Sequence, residues 1–254
     1  MDLLAIHNSS ESIAARRAGI RAALLQSSRN LRQGDFERIG VEDIASLVAM
    51  YDREFFGGWL AQALRDRTDA PLEFRLSTTM TRAGGRTSRY RRRTRWGGAS
   101  TRYEIAVASR MLLMTFRDVR RDVVVCGLAC ADRLDALGRI LEHEILHLAE
   151  MLVWEESSCS GPRFKKLSRD IFGHTDKSHC LVTAREHAAV AHGIRVGGAV
   201  EFDFDGRRRV GRVNRVHRRA TVLVEDPRGL PYTDGKNYLK FYVPLDRLKS
   251  VVSP

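Results

Sequence analysis

The stretch LDALGRILEHEILHLAEMLVW, Leu134 to Trp154, decides how this chain is read. Leu134, Leu137, Leu141, Ile145, Leu148 and Leu152 recur at steps of three and four. That spacing predicts a helix with one apolar face turned toward a core. No proline interrupts it, and Gly138 is tolerated at a cost of roughly 1 kcal/mol relative to alanine. Inside the helix lies His143-Glu144-Ile145-Leu146-His147, the pattern HExxH. Residues four apart stack on one side of a helix, so the two imidazoles can converge on a single Zn²⁺. Glu144 sits beside them as the candidate general base. The pattern also arises by chance on surface helices, and the separate apolar stripe argues against that here.

Composition bounds the rest. A chain of 254 residues suits one large domain, or one medium and one small, and 43% hydrophobic content is enough for a core. Lys and Arg number 43 against 31 Asp and Glu, a net charge of +12. With a pI near 10.1, this favours a polyanionic partner, most simply nucleic acid and with DNA the expected one, over a merely basic surface. Four cysteines (Cys126, Cys130, Cys159, Cys180) are too few to staple a chain of this length, so they read as reduced thiols or metal ligands. The first residues show no signal peptide, and no apolar run approaches a membrane span. The expectation is a cytoplasmic protein, with association with the nucleoid open, no membrane partner and an undetermined oligomeric state.

Along the chain, Ser10 to Leu31 reads as a basic helix, with Ser10 as its cap, forming a solvated N-terminal extension over residues 1–34. Val41 to about Arg65 reads as one helix carrying Phe55 and Phe56 as core aromatics. Leu72 to Ser77 alternates as a strand, and Gly84-Gly85 marks a turn in a continuing sheet. Met111 to Phe116 reads as a short helix and Val123 to Val125 as a short buried strand. Cys126 and Cys130 read as a buried structural pair, since no other ligand types flank them. Pro162 opens a helix that Gly173 closes, and Thr183 to Ala191 forms another. From Gly197 on, short Val-rich strands separated by Asp205-Gly206 and Asp234-Gly235 suggest a small SH3-like β-barrel over 197–254.

Two arginine groups stand out. Between Arg82 and Arg95 there are seven arginines: Arg82, Arg86, Arg89, Arg91, Arg92, Arg93 and Arg95, with Tyr90 and Trp96 among them. Such a run is either a solvated hairpin or a phosphate-binding strip whose aromatics stack on unpaired bases. Arg207, Arg208 and Arg209 begin the second group, which runs to Arg219 in the C-terminal strands.

From about Val41 to Thr183 the chain resembles the SprT-like metalloproteases, whose eukaryotic members are called Spartan. Four segments carry the resemblance in order: Tyr51 to Leu60 (YDREFFGGWL), Ala83 to Thr87 (AGGRT) followed by Tyr103-Glu104-Ile105, Leu141 to His147 (LEHEILH), and Gly161 to Phe164 (GPRF). The resemblance implies an α+β chain with a zincin-like metallopeptidase domain over 35–196. It also implies a zinc cofactor and protein substrates, in Spartan-type members proteins crosslinked to DNA. The C-terminal barrel is similar to one attached to some bacterial SprT-like proteins.

One position departs from the family. Where a third histidine is expected before the Gly-x-x-Phe segment, this chain has Ser160, preceded by Cys159. A catalytic zinc needs a third protein ligand, and HExxH supplies two. Cys159 is the expected ligand, because a thiolate binds zinc strongly and a flexible loop absorbs a one-residue shift. His174 is the main alternative, freed to turn inward by Gly173, and His179, Glu155 and Glu156 stay open. The rival reading is a nucleic-acid-binding protein whose metal site is vestigial or structural.

Overall fold

The computed structural model describes residues 1–93 and 99–251, and its contacts divide the chain into two compact units. The first comprises residues 1–116 and 121–181, and the second residues 117–120 and 182–254.

The first unit is built on the HExxH helix. This helix spans Arg133–Trp154 (α5) and buries Leu134, Leu137, Leu141, Ile145, Leu148 and Leu152, the expected stripe. It starts at Asp132, whose side chain accepts from the backbone N–H of Asp135. It ends at Glu155, a non-glycine residue held left-handed at φ 59°, so the chain turns back at once.

Around α5 lie α1 (Ser10–Ser27), α2 (Val41–Phe56), α3 (Trp59–Arg67), α4 (Ser109–Met114) and α6 (Pro162–Phe172). A three-stranded sheet has the order β1-β3-β2, with β1 (Glu73–Leu76) parallel to β3 (Ala99–Val107) and β2 (Gly85–Arg93) antiparallel to it. No strand pairs with the outer edge of β2 among the described residues. A hairpin of β4 (Val123–Val125) and β5 (Leu128–Cys130) turns through Cys126 and Gly127, both at positive φ.

Two expectations are corrected here. The stretch from Val41 to Arg65 is not one helix. Gly57 and Gly58 both adopt left-handed φ values, 60° and 81°, which break it into α2 and α3. The Asp52 carboxylate then caps α3, accepting from the N–H groups of Leu60 (2.9 Å) and Ala61 (3.0 Å). Nor are residues 1–34 a solvated extension. α1 ends at Ser27, its cap is Ser9 rather than Ser10, and Ile13, Ile20 and Leu24 are buried in the first unit.

The second unit begins ahead of residue 197. Helix α7 (Ala184–His192) belongs to it, with Ala188 and Ile194 in its core beside Val200, Phe202, Val213 and Val222. Five strands pair antiparallel in the order β10-β6-β7-β8-β9: β6 (Ala199–Phe204), β7 (Arg207–Val216), β8 (Arg219–Pro231), β9 (Asn237–Pro244) and β10 (Lys249–Ser250). Asp205-Gly206, at φ 50° and 69°, makes the expected two-residue turn between β6 and β7. No helix among the described residues is long and apolar enough to cross a membrane.

Candidate metal centre

His143 and His147 occupy one side of α5, and their Nε2 atoms lie 3.1 Å apart. The loop that returns from Glu155 brings Cys159 to the same point. One ligand atom each from His143, His147 and Cys159 lie within 4.8 Å of one another. Two tetrahedral zinc–imidazole bonds of about 2.0–2.1 Å would set their nitrogens ~3.3 Å apart, so the pair is spaced as a bound ion requires.

The imidazoles are electronically suited to that role. Burial, then His147, His174, His179 and Lys177, push the His143 pKa down to about 3. Burial also lowers that of His147. Both are neutral near pH 7, as metal ligands must be. Beneath His143 sits Cys126, its Sγ 3.8 Å from Nδ1. Burial first, and then the acidic groups Glu142 and Glu144, push this thiol far up, so Cys126 stays protonated. With Cys130 it is a free, buried thiol, as expected.

Glu144 lies against Gly85 and Thr87 of β2. It is 4% exposed, and burial raises its pKa to about 7 against the opposing pull of Thr87 and Arg86. The Thr87 hydroxyl lies 2.8 Å from both the Glu144 carbonyl and one carboxyl oxygen. One hydroxyl proton is shared between these two acceptors, so Thr87 only partly offsets the burial of the carboxylate. Gly85 makes this approach possible, because a Cβ there would lie 2.7 Å from Glu144 Cγ and Oε1.

These groups line a cleft of about 460 Å³ together with Gly84, Arg86, Lys177 and His179. His179 reaches the cleft because its segment pairs with the β4 hairpin, bridging Val125 and donating from Cys180 N–H to Val124 O at 2.9 Å.

His174 is not brought to this centre. It is 3% exposed and its Nε2 sits 2.8 Å from Glu142. Glu155 is drawn away to Arg67 (3.3 Å) and Arg91 (2.5 Å). Glu156 lies 3.5 Å from Arg163.

The expected nucleic-acid contacts are placed unevenly. Arg86 is exposed at the cleft, and Arg92 and Arg93 are exposed on β2. Arg91 pairs with Glu155 at 2.5 Å and Arg89 with the same carboxylate at 4.0 Å. Arg95 and Trp96 lie outside the described residues. The Tyr90 ring, expected to be open for stacking, is covered on one face by Arg102 at 4.5 Å. In the second unit Arg207 is exposed, Arg208 pairs with Glu201, and Arg209 lies over Phe241 at 5.1 Å. A different set surrounds a surface concavity of about 470 Å³: Arg215, Arg218, Arg219, Lys240 and Tyr242, the last 66% exposed. No carboxylate pairs with these three arginines among the described residues.

Sequence reasoning missed Thr87 and Gly85 as the seat of Glu144; His179, left open there as an alternative ligand, lines the cleft. A period-two reading of β2 puts Thr87 on the face opposite Tyr90, but nothing local says that this face meets α5. No family model, curated protein or solved structure matches this chain.

Proposed function

We propose that this chain is a zinc-dependent endopeptidase of SprT-like type, with a zincin-like first unit and an SH3-like barrel as its second, acting on proteins bound or crosslinked to DNA. The observation that carries the reading is the meeting of His143, His147 and Cys159 within 4.8 Å, in the cleft that also holds Glu144. A set of two imidazoles and a thiol is a donor set that suits zinc, and three protein ligands leave one position open.

His143, His147 and Cys159 would hold the ion. Zinc, when bound, supplies a Lewis acid that brings the pKa of water from 15.7 toward about 7. Glu144, buried and seated on Thr87, accepts a proton from the attacking water and returns it to the leaving amine. The free edge of β2 runs along the cleft through Gly85, Arg86 and Thr87, where an extended peptide can add as a further strand. The arginines supply the counter-charge for DNA phosphates.

The test is zinc content of freshly purified protein together with cleavage of a DNA-binding protein, with and without DNA. The parent should carry one zinc and cleave. Glu144→Gln should keep the zinc and lose cleavage. Zinc-loaded parent that binds DNA and cleaves nothing would favour the rival reading, a nucleic-acid-binding protein with a structural metal.

A further inference from the structure

We infer that Glu150, acting through the Ser157 hydroxyl, positions two of the three candidate ligands, His147 and Cys159, and so completes the centre. The inference rests on the metal reading above and adds to it residues that HExxH does not contain.

Ser157 Oγ lies 2.6 Å from His147 Nδ1 and 2.6 Å from Glu150 Oε2. The hydroxyl has a single proton, and an ionised carboxylate only accepts. Ser157 therefore donates to Glu150 and accepts from His147. That fixes His147 as the Nδ1–H tautomer and leaves a lone pair on Nε2, the atom that faces His143 at 3.1 Å. A carboxylate acting on a histidine in this way sets ring orientation and raises ligand basicity.

Glu150 is placed for that task. It is 1% exposed on α5, three residues beyond His147, and its charge is met by Arg163 Nε at 2.8 Å. Arg163 comes from the first turn of α6 and lies over the Trp154 ring at 4.4 Å. The same Oε2 also accepts from the Ser158 N–H at 3.3 Å, directly before Cys159. One buried carboxylate thus fixes the imidazole and anchors the loop that carries the thiol. This gives the Ser157-Ser158-Cys159 loop a fixed form, so a cysteine can serve where the family has a histidine one residue later.

The experiment uses full-length protein with zinc alone as ligand, its affinity read by competition with a chromogenic chelator. ¹⁵N NMR of the metal-free protein, near pH 8, reads the His147 tautomer. Wild type should show His147 as Nδ1–H. Ser157→Ala and Glu150→Gln should bind zinc roughly 10- to 100-fold more weakly. Ser157→Thr, which keeps the hydroxyl, should stay near wild type. An Nε2–H tautomer in the wild type overturns the inference. So does a Ser157→Ala affinity within twofold of wild type, or a loss in Ser157→Thr as large as in Ser157→Ala. If Glu150→Gln does not fold, the Ser157 pair and the tautomer still decide. A wild type that binds no zinc sinks the metal reading instead, and the tautomer alone then decides the relay.

Discussion

Arg17 and Glu142 form a two-pronged ion pair, Nε to Oε1 at 2.7 Å and Nη2 to Oε2 at 2.6 Å. It joins the N-terminal helix to the residue directly before His143. Glu142 is fully buried and also accepts from Arg139 (2.9 Å) and His174 (2.8 Å). Arg17 in turn donates to Phe172 O at 2.7 Å, where α6 ends. Glu142 keeps Arg139 and His174 when Arg17 is removed, so Arg17→Ala loses charge-assisted hydrogen bonds rather than all compensation and should cost about 1.5–3 kcal/mol in urea unfolding at neutral pH. Burial acts to raise the Glu142 pKa, but Arg139, His174 and Arg17 outweigh it and hold the carboxyl near 2. A depressed folded pKa stabilises above the unfolded value of 4.5 and is lost as pH falls toward about 2. The gap between parent and variant should therefore narrow across that window. A variant within 1 kcal/mol of the parent at pH 7 would show that α1 is not held by this pair.

The seat of Glu144 predicts a separation of metal binding from turnover. In Gly85→Ala the new Cβ falls 2.7 Å from Glu144 Cγ and Oε1, so the carboxyl must move. A displacement of this size costs a positioned base about 10²-fold in kcat. Zinc affinity should not change, because Gly85 touches neither imidazole nor the thiol. Peptidase assays and zinc titration on the same sample check this. Full activity in Gly85→Ala would remove Glu144 from the role of base.

How much of this was legible follows from the residues. The HExxH helix was, because its leucines keep the 3.6 period and bury as one face. α1 was legible as a helix but its packing was not, because Ile13, Arg17, Ile20 and Leu24 form its inward stripe and one of the four is an arginine. Its partner, Glu142, is 125 residues away and unmarked by any local pattern. The break at Gly57-Gly58 was read through although a Gly-Gly pair is itself a turn signal; their left-handed φ values and the Asp52 carboxylate that caps α3 make the second start. The start of the second unit was placed too late because α7 buries only Ala188 and so carries little periodic signal. At the centre, residue types gave His143, His147 and Cys159, whereas Thr87 and Ser157 act through contacts that a linear pattern does not encode.

The choice between Cys159 and His174 can be read directly from paired variants. Cys159 shares the centre with His143 and His147, whereas His174 is committed to Glu142. Cys159→Ala should lower zinc affinity by at least tenfold, and Co²⁺-loaded parent should show a thiolate-to-cobalt charge-transfer band that this variant lacks. His174→Ala should lose stability, through its buried partner, yet keep the band. Zinc held as tightly by Cys159→Ala as by the parent, with loss in His174→Ala, would exchange the two roles.

If the chain binds DNA as proposed, its salt dependence shows which arginines make the contacts. Each phosphate contact releases a counterion, so log K against log salt steepens by about 0.9 per contact on duplex DNA and about 0.7 on single strands. Arg208 and Arg209 are engaged with Glu201 and Phe241, and Arg89 and Arg91 with Glu155. Arg215, Arg218 and Arg219 meet no carboxylate among the described residues, and Tyr242 stands exposed beside them. Replacing these three arginines by alanine should flatten the salt slope by about two to three units, against about one for Arg208→Ala with Arg209→Ala. Tyr242→Ala should weaken single-stranded DNA by about 1–3 kcal/mol while leaving the slope alone, because stacking releases no ions. The measurement is fluorescence anisotropy across a salt series on both DNA forms. Slopes that respond equally to both arginine sets would mean that charge in the second unit acts collectively, with no defined site at this concavity.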